Sequence, residues 1–225
     1  MNLLRPFPLI IIFGSFFSGC VTTTAPGPEE QVILDRLDKQ ACRMSSGRIY
    51  RLTILRSGDL VGVFDVENGR GPGGSLVSTL RGEAMDEILS MDFDSRMSPL
   101  RALDVELNSH RISSNQEYLR VDGSLIPLGP GEFVCLLGGM LPVGWSIPGK
   151  LMWDRSDRKF VSSGKSRTIR FFPGQRGGMD VEVSWSPNWF SSASIHVIIS
   201  RNSPDGMLQG TMEGPYGILI KWIEV

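Results

Sequence analysis

Between residues 29 and 44 the apolar side chains Val32, Ile33, Leu34 and Leu37, then Ala41 and Met44, recur at helical spacing, with Asp35, Arg36, Asp38 and Lys39 on the other side. One apolar stripe on a polar cylinder predicts an amphipathic helix, and Ser45-Ser46-Gly47 ends it. The period then drops to two and stays there for most of the chain. Tyr50, Leu52 and Ile54 alternate with Arg51 and Thr53; Leu89, Met91 and Phe93 with Ser90 and Asp92; Val181, Val183 and Trp185 with Glu182 and Ser184. Alternation of this kind is the mark of strands with one buried face. Glycine-bearing turns separate the runs, among them Ser57-Gly58-Asp59 and the stretches 174–178 and 213–217. Eleven strands are predicted, at 48–56, 59–66, 75–81, 87–94, 102–107, 117–122, 150–154, 167–173, 179–185, 194–201 and 216–224.

One segment breaks the alternation. Phe133 to Met140 is apolar nearly all round and follows Leu128-Gly129-Pro130-Gly131-Glu132, which predicts a short helix stopped by Leu141-Pro142. The expected fold is therefore mainly β: an antiparallel, about eleven-stranded, incomplete barrel with two short helices against its concave face. A curved sheet of that size under two helices leaves space that side chains alone do not fill. The ten methionines, with Phe64, Phe93, Trp153, Phe171 and Trp185, suit a pocket for chains of varying shape, although each alone also reads as core filling.

The N-terminus carries a different message. Arg5, the apolar run from Pro6 to Phe17, then Ser18-Gly19 before Cys20 form the layout of a secretory signal, too short for a stable membrane span. Phe17-Ser18-Gly19-Cys20 resembles the lipobox of bacterial lipoproteins, with Phe17 departing from the usual leucine. The resemblance implies cleavage after Gly19 and acyl chains on Cys20, a firm anchor because two or more chains suffice. Val21, where a retention signal would place Asp, favours an outer membrane. The expected organisation is a signal peptide over 1–19, a lipidated linker over 20–30 and one domain over 31–225. The linker would reach about 30 Å at ~3.3 Å per residue.

Charge and candidate chemistry narrow the reading further. The mature 206 residues carry 22 basic and 24 acidic groups, scattered rather than clustered, which sets a nucleic-acid partner aside. Cys42 and Cys135 could pair in an oxidising compartment, constraining the unfolded chain by roughly 3 to 5 kcal/mol in the entropic model, or each could serve as a small buried hydrophobe. His110 reads as a solvated turn residue and His196 as an outward strand residue, and neither has ligand-spaced neighbours. Gly144-Trp145-Ser146-Ile147-Pro148-Gly149 misses the nucleophile-elbow spacing, and Gly164-Lys165-Ser166 has Lys159 where a phosphate loop needs glycine. No catalytic, metal or cofactor site is expected, and the chain reads as a non-enzyme.

Lipid-bearing cysteine, short linker, amphipathic helix, strands, a helix within Gly-Pro-Gly-Glu-Phe-Val-Cys-Leu-Leu-Gly-Gly-Met-Leu-Pro (129–142), then more strands ending at Trp222: in this order of elements the chain resembles the LolB family. The resemblance implies an outer-membrane lipoprotein, periplasm-facing and monomeric, that takes the acyl chains of other lipoproteins from a periplasmic lipoprotein carrier and inserts them. It further implies an apolar cavity, for which Leu52, Ile54, Phe64, Met91, Phe93, Val183 and Trp185 are the candidates. A protruding apolar loop residue is also implied, matched here by Met85 beside Ala84 in Gly82-Glu83-Ala84-Met85-Asp86. The rival expectation is a structural lipoprotein whose half-barrel is filled and docks on an envelope assembly. Several hundred Å³ of dry space separates a carrier from a docking module.

Overall fold

The computed structural model describes residues 23–39, 47–71, 75–94, 96–107, 109–145, 147, 150–174, 178–188, 191–201 and 207–225. Two short elements come first, strand β1 (Thr23–Thr24) and helix α1 (Pro28–Lys39). A meander follows: β2 (Arg48–Arg56), β3 (Asp59–Arg70), β4 (Leu76–Arg81) and β5 (Glu87–Phe93). Four short strands come next, β6 (Asp104–Leu107), β7 (His110–Ser114), β8 (Leu119–Val121) and β9 (Ser124–Ile126), and then helix α2 (Pro130–Leu137). The chain closes with β10 (Leu151–Asp154), β11 (Lys159–Ser163), β12 (Arg167–Pro173), β13 (Met179–Asn188), β14 (Ser191–Ser200), β15 (Gln209–Glu213) and β16 (Ile218–Glu224).

Twelve of the strands form one antiparallel sheet in the order β1-β10-β11-β12-β13-β14-β15-β16-β2-β3-β4-β5. The seam between the late and early meanders is β16 against β2, with Trp222 opposite Leu52 and Ile220 opposite Ile54. Strands β1 and β5 are the two free edges, so the sheet is not closed and the fold is a half-open barrel. The inward phase of the alternation is the buried one: Tyr50, Leu52 and Ile54 on β2, Val181 and Val183 on β13, Ile195, Val197 and Ile199 on β14 all lie in one core. Leu34 and Leu37 of α1 join it.

Every predicted strand has a counterpart, but two of them belong elsewhere. Residues 102–107 and 117–122 fall in a separate four-stranded meander, β6-β7-β8-β9, rather than in the large sheet. Its last hairpin turns on Asp122 (φ 47°) and Gly123 (φ 79°), the left-handed pair that a tight two-residue hairpin demands. This second sheet is a cover that the sequence reading assigned to the helices alone.

Helix α2 starts three residues before the expected Phe133 and stops at Leu137 rather than Met140. Pro130 takes the first helical position, where its missing N–H costs nothing, and Glu132 reaches back to accept the Gly129 N–H at 2.9 Å. Gly131 is demanded by packing, since a Cβ there would lie 1.7 Å from the Met97 carbonyl oxygen. The expected linker is also partly built into the fold, with Thr23 and Thr24 paired to β10 and α1 beginning at Pro28.

Candidate functional site

The open half of the large sheet, β16 and β2 to β5, does not meet its cover tightly. Between them lies an apolar trough of about 130 Å³. Its floor is Ile220 of β16, Leu52 and Ile54 of β2, Val66 of β3, Ser78 and Leu80 of β4, and Leu89, Met91 and Phe93 of β5. Its roof is Leu103 together with Val105, Ile112, Leu119, Val121 and Ile126 of the small sheet, and its end wall is Pro130, Phe133, Val134 and Leu137 of α2. Ser78 is the one polar residue in this lining, and its hydroxyl is committed to Asn68 Oδ1 at 2.7 Å.

Of the residues expected to line an acyl cavity, Leu52, Ile54, Met91 and Phe93 meet in this trough. Phe64 is buried but lies over Gly62, where its ring comes within 2.4 Å of the position a Cβ would take. Val183 is fully buried in the other half of the sheet, where aromatic side chains occupy the concave space, and Trp185 sits half-buried on β13 outside the trough. The roof residues Val105, Ile112, Leu119 and Ile126 were not anticipated. The Asp122-Gly123 dipeptide between apolar runs was the signal that could have exposed their hairpin.

Roof and floor are pinned at one corner. Asp122, in the β8–β9 turn, receives the Arg56 guanidinium from β2, the Arg111 N–H at 2.8 Å, and His110 Nδ1 at 2.6 Å. The His110 contact, followed by these N–H donors and charges, holds the Asp122 carboxyl below the usual carboxylate range. His110 is thus not a solvated turn residue but opens β7 with its ring half-buried against a carboxylate. His196, on β14, does face outward, with Nε2 3.0 Å from Asp180 Oδ1.

The other end of the cover is tied to β12. Glu132 of α2 accepts Trp145 Nε1 at 2.7 Å and Arg167 Nη1 at 2.9 Å, besides its own helix N-terminus. Cys135, on the same helix, is fully buried and disulfide-bonded; Cys42, the partner the sequence offers, lies outside the described residues, as does Cys20. Met85 is exposed (59 %) at the tip of the β4–β5 turn with φ +61°, and Ala84 beside it is exposed too. Among the described residues no group of three or more His, Cys, Asp or Glu is placed to hold a metal, and no helix is long and apolar enough to cross a membrane.

Compared with family models, curated proteins and solved structures, the chain matches none.

Proposed function

We propose that this protein is an acyl-chain carrier, a lipid-anchored lipoprotein whose trough receives the acyl chains of other lipoproteins and passes them to an outer membrane. The observation that carries this reading is the trough itself: an almost wholly apolar slot between two sheets, not filled by the side chains that line it. Burying one methylene is worth ~0.8 kcal/mol, so even a partly seated acyl chain would be held by several kcal/mol. Transfer from one apolar slot to another and then into a bilayer changes little net free energy, so no nucleotide is needed. The lipobox-like Phe17-Ser18-Gly19-Cys20 supports the anchor. Met85, apolar, exposed and held in a backbone conformation unusual for its type, supports a role for the β4–β5 turn at a lipid surface.

One observation favours a second reading. At about 130 Å³ the trough is smaller than the ~300–1,000 Å³ of an ordinary small-molecule site. A carrier must widen it by lifting the small sheet, whereas a docking module could keep it as it is. The deciding experiment mixes the domain from residue 21 with an acylated lipoprotein held by its periplasmic carrier and follows the cargo by size exclusion. Movement of the cargo to this protein is the expected result. Cargo that stays on the carrier, with no uptake of a fluorescent fatty acid, would transfer the proposal to an envelope-docking lipoprotein.

A further inference from the structure

The register of β1 fixes where an anchor on Cys20 must leave the domain. Thr23 lies opposite Asp154 and Thr24 opposite Trp153, in antiparallel pairing. The N-terminal end of β1 therefore lies beside Asp154, the last residue of β10 and the neighbour of the turn at 155–158. Only Val21 and Thr22 separate Cys20 from the paired Thr23, a reach of about 10 Å at ~3.3 Å per residue. The reach expected of a free linker was three times that.

In an antiparallel meander successive turns alternate between the two ends of the strands. The 155–158 turn therefore shares one rim with the β3–β4 turn, while the turns at 57–58, 82–86 and 214–217 share the other. Contacts hold that second rim together: the Ser57 N–H donates to the Gly217 carbonyl at 2.8 Å.

The two rims differ in charge. At the anchor side, Arg155 and Arg158 are exposed, with no ion pair among the described residues, and Arg70 is exposed on the same rim; Asp157 is the one exposed carboxylate of the 155–158 turn, which leaves the turn net basic. The 155–158 turn is built to present them. Asp154 is buried and accepts the Ser156 hydroxyl at 2.6 Å, the Ser156 N–H at 3.0 Å and the Asp157 N–H at 3.4 Å, so its carboxylate is occupied inside the turn. At the other rim, Glu83, Asp86 and Glu87 flank Met85 in sequence and Asp59 lies in the neighbouring hairpin, against the single exposed Lys165 of the β11–β12 turn.

We infer that the β10–β11 turn is the surface on which the anchored domain rests, with Arg155 and Arg158 against the phosphate groups of phospholipid headgroups. This rests on the lipidated-cysteine reading above. In this stance the acidic rim with Met85 faces away from the anchoring bilayer and toward arriving cargo. Contact of Met85 with that bilayer then belongs to a second stance, in which the domain has left this resting surface.

The test uses the full lipidated chain in vesicles of phosphatidylethanolamine and phosphatidylglycerol that carry a headgroup quencher. An environment-sensitive dye is placed on Asp157→Cys, or on Ala84→Cys in a chain that also carries Asp157→Asn so that the charges match, and the parent chain taken through the same labelling sets the background. Quenching several-fold stronger at position 157 than at 84 is expected. Arg155→Glu combined with Arg158→Glu should abolish the difference, since each basic group near an anionic surface shifts contact about fivefold. Equal quenching at both positions, or stronger quenching at 84, in a chain that still floats with the vesicles would overturn the inference and leave the anchor intact. A chain that does not float would overturn the anchor and the inference together.

Discussion

The two halves of the large sheet are made from the same alternation and end in opposite states. Under β10 to β14 the concave space is packed by rings: Trp153 lies 4.9 Å from Phe160, Phe160 5.6 Å from Phe171, and Trp145, delivered by the loop after α2, 6.3 Å from Phe171. Their neighbours Val181, Val183 and Val197 have no exposed surface. Under β2 to β5 the matching positions carry Leu80, Leu89 and Met91, half-buried, and face the half-buried Val105, Ile112 and Leu119 of the small sheet. One half is a core because successive rings pack on one another across it, and the other is a slot because, Phe93 and Phe133 apart, its lining is branched and flexible side chains that leave it short of contact. Stability and capacity are thus assigned to different parts of one sheet.

The sharpest way to break this comparison is to truncate one residue from each half. Phe171→Ala should cost about 3 to 5 kcal/mol, because its site is fully enclosed and cannot collapse. Leu80→Ala, in the slot, should cost about 1 kcal/mol, since its surroundings are already loose. Urea denaturation of both variants reads this directly; equal losses would mean that the slot is as well packed as the core. The converse experiment fills the slot. Leu89→Trp should lower fluorescent fatty-acid uptake at least about tenfold while changing stability by about 1 kcal/mol or less, since overpacking is costly only where packing is already tight.

How far this division could be read from sequence depends on which half is asked. The inward alternation of Leu52, Ile54, Val181 and Val183 was legible, and so was the curved, unclosed sheet. The second sheet was not, because β8 and β9 are three residues each, too short for a period to show. β15, Gln209-Gly210-Thr211-Met212-Glu213, was missed for a related reason. Its inner position at Gly210 has no side chain, and the Trp222 ring from β16 fills it, coming within 2.2 Å of where a Cβ would stand. Without these pieces the two helices looked like the only cover of the sheet. The segment 129–142 shows the other side of the lesson: two of the four glycines in the stretch that carried the family resemblance, Gly129 and Gly131, are explained here by close packing against Gln116 and Met97.

A smaller effect concerns the corner that pins slot and roof. The Asp122 carboxyl is held below its usual range, chiefly by His110, so its unfolded form takes up protons first. Its contribution to stability is complete above the unfolded value of ~3.9 and is lost as pH falls through the lower folded value. Acidification below about pH 4 should loosen the small sheet before β12 to β14. Asp122→Asn should do the same at neutral pH, seen as several-fold faster amide exchange in β6 to β9. Uniform exchange across both sheets would mean that the corner does not hold the roof.

The smallest effect is expected at Met85, and its sign tells function from architecture. A non-glycine residue at φ +61° is strained by about 1 kcal/mol. Met85 is exposed, so its side chain returns little of that through packing. Met85→Gly should therefore leave the domain unchanged or more stable by up to about 1 kcal/mol, the gain being cut by the greater freedom of glycine in the unfolded chain. Met85→Glu should keep the strain, with stability within about 0.5 kcal/mol of the parent. If the exposed methionine works at a lipid surface, both variants should bind fatty acid normally and deliver cargo slowly, the glutamate more so. Delivery at the parental rate by a folded Met85→Glu protein would make the turn ordinary and leave the trough to carry the function alone.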